Sequence, residues 1–244
     1  MTIDLGAIAG EAWALARRDR AMLVPLAAVF LFLPTLGLLL FVPAPPASPA
    51  SGSGDAATMA FIAGYRAWIS DHALHFLISS IIAAFGGLSV TALYLDRASA
   101  TVGEAMARAI ILLPRYLLAS VLVMVPAIIG LLMLVVPGLY VLGRAMLVGP
   151  VLVAEQPGSA VAAVVRAVAY THRRGLVLAG VVTIALVAQQ LLPAPLLAID
   201  DALHRMRAAN QLVIILVDAG AAALTAAVSL GLLLFRVVLY RRLA

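Results

Sequence analysis

The chain contains no cysteine and no lysine. Without thiols it forms no disulfide, offers no thiolate nucleophile and holds neither an iron–sulfur cluster nor a cysteine-type zinc site. Without lysine it forms no Schiff base with a carbonyl substrate. Charge of either sign is scarce: 11% of the 244 residues are charged, against about 25% in an ordinary soluble domain. Also missing are a Gly-x-Ser-x-Gly elbow, a phosphate-cradling P-loop, a dinucleotide fingerprint and a Ser/His/Asp pattern. No soluble domain is discernible, so cofactor chemistry has no obvious seat. The sequence reads as non-enzymatic, with no cofactor and no resident metal.

What fills the chain instead is hydrocarbon. Hydrophobic residues make up 65% of it, against roughly 45–50% in soluble domains. A water-soluble fold of this size has no interior large enough to hide that surface. A bilayer removes the difficulty, because lipid solvates the outer face. All sixteen basic residues are arginine, which, beside so much Ala, Leu, Val and Gly, reads as GC-rich coding. They are dispersed between apolar runs rather than gathered along one groove, which argues against nucleic acid. An anionic lipid surface accounts for them better.

Six apolar runs stand out: Ala21 to Val42, Leu74 to Leu95, Tyr116 to Val136, Leu139 to Ala154, Leu176 to Ile199 and Gln211 to Leu234. A helix of ~20 residues crosses the ~30 Å hydrocarbon core. The fourth run is short and must thin the bilayer, shelter beneath its neighbours or continue into its flanks. Only Pro137-Gly138 separates the third from the fourth. A tight hairpin fits this; the alternative, one long kinked helix and five spans, is far too long for a single crossing. The expected fold is an all-α bundle of six transmembrane helices, a single membrane domain over residues 1–244.

Arginine placement sets the orientation. With the N-terminus inside, the cytoplasmic segments carry Arg17, Arg18, Arg20, Arg97, Arg108, Arg115, Arg166, Arg173, Arg174, Arg236, Arg241 and Arg242. The outer segments carry Arg66, Arg205 and Arg207, so twelve stand against three. Both termini are thus expected in the cytoplasm. Asp4 and Glu11 precede a first apolar run too long for a signal-peptide core, which argues for a retained span.

Each inner segment holds a short amphipathic stretch before a pair of spans: Leu5 to Arg18, Val102 to Leu113, and Ser159 to Arg174. These are expected to be interfacial elbow helices with arginines turned to lipid phosphate. Arg17, Arg18, Arg108, Arg166, Arg173, Arg174, Arg241 and Arg242 are the candidate lipid-facing set. On the outer side, residues 43–57 read as a flexible linker. Phe61, Tyr65, Trp68 and Ile69 then share one face of a separate interfacial helix.

One resemblance rests on Val136-Pro137-Gly138-Leu139, on Pro150-Val151-Leu152-Val153-Ala154-Glu155, and on Gly158 with the Ala-rich stretch to Arg166. This run resembles the YciC-type family of bacterial inner-membrane proteins. It is also similar to the membrane domain that precedes some bacterial glycerophosphodiester phosphodiesterases. Phe235-Arg236-Val237-Val238-Leu239-Tyr240 is a compatible ending. The resemblance implies a multi-helix protein of the bacterial inner membrane. It carries over no catalytic residue, because the phosphodiesterase domain has no counterpart here.

Two ionisable side chains fall inside runs, Arg144 and Asp218. Both count to the outer half of their spans. A charge in lipid is costly unless paired, so an ion pair or a shared polar cavity is expected, either as a clamp between helices or as a ligand site. Gln189 and Gln190 are candidate lining for such a cavity, or hydrogen-bonding partners between helices. Asp71, His72 and His75, with Asp200, Asp201 and His204, lack an established metal-ligand spacing and read as interfacial caps.

The function expected from these features is interaction with membrane lipid, chiefly anionic, or with a membrane-protein partner or second copy, organising the bilayer or an assembly. The alternative is a small transporter or channel-like protein for a lipid or hydrophobic small molecule. The cysteine-free background permits a direct topology test. In intact cells with the outer face accessible, an impermeant maleimide should label Ser48→Cys and spare Ala14→Cys until the membrane is permeabilised. The reverse labelling would overturn the orientation.

Overall fold

The computed structural model describes residues 4–50, 52, 54–96, 101–172, 174–205 and 210–244. Among them the secondary structure is helical, with no strand. Six helical stretches are long and apolar enough to cross a membrane: Arg20–Phe41, Gly54–Leu95, Val102–Met133, Val135–Glu155, Gly175–Leu203 and Gln211–Leu243. The chain is an all-α, six-span membrane bundle.

Helix starts follow from side-chain caps. Asp4 opens α1 (Leu5–Arg18) by accepting the Ala7 N–H at 3.0 Å. Thr101 and Glu104 form a capping box at the start of α5 (Val102–Met133). Ser159 caps α8 (Ala160–Tyr170), and Asn210 caps α11 (Gln211–Leu243). Each supplies an acceptor to N–H groups that have no partner within the helix. The first span is α2 (Arg20–Ala27), a π-turn over Ala28–Phe32 and α3 (Leu33–Phe41). Pro34 has no N–H for the carbonyl four residues back. The wider turn sets Phe30 against Gly86 of α4 (Gly54–Leu95), where any Cβ would collide with it.

Two expected breaks are absent. The second elbow is not a separate helix, because α5 runs unbroken from Val102 through Pro114 into the third span. Its buried residues Ala105, Ala109, Leu112, Ala119, Ala127 and Gly130 form one stripe at helical spacing, so nothing ends the helix at the membrane surface. The outer aromatic helix likewise continues into the second span as the 42-residue α4. At ~1.5 Å per residue α4 is ~60 Å long, about twice the hydrocarbon thickness. Helix also begins at Gly54, inside the stretch read as linker, leaving 43–50 irregular. The linker is anchored: Trp68 Nε1 donates to the Pro43 carbonyl at 2.9 Å. The sixth span, read as ending at Leu234, continues to Leu243.

Spans three and four form a hairpin. It turns at Leu134, which is extended between α5 and α6 (Val135–Ala145), so Pro137-Gly138, expected at the turn, lie inside the start of α6. Gly130 and Gly138 let the helices touch: a Cβ on Gly130 would lie 2.7 Å from the Gly138 nitrogen. The fourth span is itself broken at Met146-Leu147, resuming as α7 (Val148–Glu155). α6 lies against α9 (Gly175–Leu191), and α10 (Ala194–Arg205) against α11.

A large buried cluster reaches the arginine-rich end, where Ile8, Ala12 and Leu15 of α1 join Leu23, Leu147, Val151, Val238 and Leu239. The last turns of α11 tie that end together. Tyr240 donates to Glu155 Oε1 at 3.0 Å, Arg241 to the Tyr94 carbonyl at 2.7 Å, and Arg242 to Glu11 at 2.8 Å. Elsewhere large apolar side chains such as Leu118, Val121, Val125 and Ile129 on α5 face outward, as lipid contact requires.

Glycine packing between α6 and α9 generates a test. A Cβ on Gly143 would come within 2.5 Å of the Ala179 nitrogen, whereas one on Gly180 meets nothing within 4 Å. Gly143→Val should lower the thermal midpoint of the purified protein by an amount equivalent to about 1–3 kcal/mol. Gly180→Val should leave it unchanged.

Candidate functional site

The break in the fourth span builds the first polar cluster. Ending α6 at Ala145 frees carbonyls that no water in a bilayer core can satisfy. Thr171, fully buried just past α8, has its hydroxyl 2.8 Å from the Arg144 carbonyl. It can donate there while its oxygen accepts from Arg144 Nε at 3.2 Å. The guanidinium also donates to the Tyr140 hydroxyl and the Val168 carbonyl, each at 2.8 Å. Its carbon lies 5.6 Å from the Tyr140 ring centre, within cation–π range. Gly175 leaves room for this, since a Cβ there would sit 2.8 Å from Arg144 Cδ.

Arg144 is therefore a latch between the broken fourth span and α8. Its bonds go to Tyr140, Thr171 and Val168 instead of the expected Asp218. Asp218 is 3% exposed in α11, one turn from Ala221. Counting residues along a helix gives depth but not direction; here the break at Met146 lets Arg144 reach α8.

Gln189 and Gln190 do meet cavities. Both line a cavity of about 470 Å³ with Thr35, Pro193, Ala221 and Thr225. Gln189 also lines a cavity of about 300 Å³ between α5, α6, α7, α9 and α11, together with Tyr116, Ser120 and Arg236. Its amide donates to Ser229 Oγ at 3.2 Å. Arg144 and Asp218 line neither cavity. Arg236 does, although the sequence presents it only as one more inner-side positive charge. The available signal was its position five residues before Arg241-Arg242, inside the otherwise apolar stretch Leu230 to Leu239.

The elbow arginines divide into paired and free-standing groups. Arg18 is bidentate to Asp19 at 2.9 and 3.0 Å, and the Tyr94 hydroxyl donates to the same carboxylate at 2.7 Å. These hydrogen bonds, Arg18's first, hold the Asp19 carboxyl below its ordinary range. Arg166 pairs with Glu155 at 2.8 Å and Arg242 with Glu11 at 2.8 Å. Arg108 Nε is 3.4 Å from Asp96, too long for a hydrogen bond in this geometry. A hydrogen bond to Glu155 raises the Tyr170 hydroxyl above its ordinary value, with burial adding to it. Arg17 is exposed, Arg174 half-buried, and Arg173 lies outside the described residues.

On α4, His72 Nδ1 is 2.8 Å from the Trp68 carbonyl and the His72 and His75 rings are 6.1 Å apart. Among the described residues no group of three His, Asp or Glu side chains is placed to hold a metal. The His204 side chain lies outside the description. No protein-family model, curated protein or solved structure matches this chain.

The latch makes Arg144 and Asp218 separable. Arg144→Met and Thr171→Val should each lower thermal stability, by roughly 2–4 kcal/mol for the arginine, whose removal strands buried carbonyl groups. Combined with Asp218→Asn, the Arg144 effect should be additive within about 0.5 kcal/mol. Mutual rescue in an Arg144→Asp/Asp218→Arg swap would overturn the assignment.

Proposed function

We propose that the chain is a non-enzymatic protein of the bacterial inner membrane that engages anionic lipid through its arginine-rich end and so organises its surroundings. In this reading that end is cytoplasmic, as the arginine count favours. The resemblance to YciC-type inner-membrane proteins points the same way.

The supporting observation is the outward face of α1. Its inner face is consumed by Ile8, Ala12 and Leu15. Trp13, 65% exposed, stands outward one turn from Arg17 and lines a shallow surface hollow with Ala14, Arg17 and Arg18. An indole beside arginines on a helix already fixed to the bundle is suited to the headgroup layer: the ring sits among acyl–headgroup boundaries and the cations meet phosphate.

A second reading, a carrier for lipid or a hydrophobic small molecule, is favoured by Gln189 lining two adjoining cavities along α9. Transbilayer movement of a fluorescent phospholipid in proteoliposomes, abolished by Gln189→Leu, would support it over the first.

The primary reading is tested by electron paramagnetic resonance of spin-labelled lipids around the reconstituted protein. Each arginine near an anionic surface contributes about 1 kcal/mol, roughly fivefold in local enrichment. Labelled phosphatidylglycerol should be enriched severalfold over phosphatidylcholine at the protein surface. The Trp13→Ala/Arg17→Gln/Arg18→Gln variant should lose most of that preference. An unchanged preference would overturn the role given to α1.

A further inference from the structure

The smaller cavity, of about 300 Å³, is of ligand size, and its chemistry is lopsided. Its walls are mainly hydrocarbon, with Tyr116, Ser120 and Gln189 adding uncharged polar groups, and among the described residues no Asp or Glu lines it. Among the described lining residues its formal charge is Arg236, two helical turns from the end of α11. Arg236 Nε is shut off from solvent without a hydrogen-bond partner. The carboxylates paired with arginine at this end, Asp19, Asp96, Glu155 and Glu11, are held by other arginines. A guanidinium stays charged and presents five donors in a fork suited to oxyanions. In a cavity without an acid, its complement is an anion.

The cavity also says where that anion comes from. Tyr116 and Arg236 mark the end nearer the exposed Arg115, Arg241 and Arg242. From there Val123, Leu142, Val182 and Ala185 wall it along α5, α6 and α9. At its rim Met124 is 53% and Leu186 42% exposed, on faces that otherwise meet lipid. The opening is therefore lateral, into hydrocarbon, and a freely soluble anion has no apolar part to match these walls.

We propose that this cavity binds an acyl-chain amphiphile with an anionic head: the head sits on Arg236 and the chain runs between α5 and α9 toward Gln189. This goes beyond the α1 reading. Contacts at Trp13 and Arg17 exchange with the surrounding bilayer, whereas this site holds one molecule inside the bundle.

Native mass spectrometry of the delipidated full chain tests it. The probes are palmitoyl-oleoyl phosphatidylglycerol, oleate, and dioleoylglycerol, which has chains but no anion. One molecule of an anionic probe should be retained per chain, at least tenfold more tightly than dioleoylglycerol. Retention of phosphatidylglycerol alone identifies a phospholipid site, and of oleate alone a fatty-acid site. Arg236→Gln should weaken retention at least tenfold and Arg236→Lys should restore most of it. Ala185→Phe, which places a ring in the open groove, should weaken it equally; it decides the matter if Arg236→Gln fails to fold. The Trp13→Ala/Arg17→Gln/Arg18→Gln variant should keep the bound molecule, so the two sites fail independently. The proposal is overturned if wild type retains no anionic probe at one per chain. It is also overturned if dioleoylglycerol binds as tightly, or if folded Arg236→Gln or Ala185→Phe binds like wild type.

Discussion

A helix broken inside a membrane must have its freed carbonyls met by protein, and in this chain Thr171 and Arg144 meet them. The Thr171 hydroxyl reaches the Arg144 carbonyl while the Arg144 side chain reaches Val168. With no water to substitute, each such group left alone would cost several kcal/mol (about 4–8 in a medium that cannot hydrogen-bond). The latch holds α6 and α7 at their offset. That offset brings Ala145, Met146 and Gly149 to the wall of the cavity headed by Arg236. It also leaves Glu155, at the end of α7, within reach of Tyr240. The cavity and the clamp at the arginine-rich end both depend on one break being satisfied.

The arginine-rich end is built on a different balance. There water and headgroups are close, so the exposed pairs Arg166–Glu155 and Arg242–Glu11 contribute little stability individually. Their value is geometric: the final turns of α11 touch α1 through Glu11, α4 through Tyr94 and α7 through Glu155. A helix at the C-terminus of the chain thereby fixes the position of the first. Arginines not drawn into these contacts, above all Arg17 beside Trp13, remain turned outward. The two lipid contacts argued for this molecule thus have separate origins, one a surface left over after α1 packs, the other a void left where the fourth span breaks.

The number of spans, the hairpin between the third and fourth, and the α1 elbow over Leu5 to Arg18 were legible because each rests on local patterning. Apolar runs of crossing length and an amphipathic stretch over Leu5 to Arg18 need no knowledge of neighbours, although the turn expected at Pro137-Gly138 falls at Leu134. The second elbow and the outer aromatic helix were misplaced for one reason. Polarity changes at the membrane surface, but a helix does not end there unless its backbone bonds are interrupted. The small residues of α5 keep one packing stripe running past Pro114.

Gln189 and Gln190, singled out as amides inside an apolar run, line a cavity. Thr171 was passed over, because within the Ser159 to Arg174 elbow only the arginines were singled out, whereas the helix ends at Tyr170 and turns Thr171 inward. The sequence by itself determined a six-span, all-helical membrane protein with its arginines weighted to one end, since hydrophobic transfer and span length are additive along a chain. Which polar groups meet was decided only in three dimensions. The partner of Arg144, the solitude of Arg236 and the place of the cavities depend on the rotation of each helix about its own axis and on where the fourth one breaks. No count of residues along a span contains that rotation.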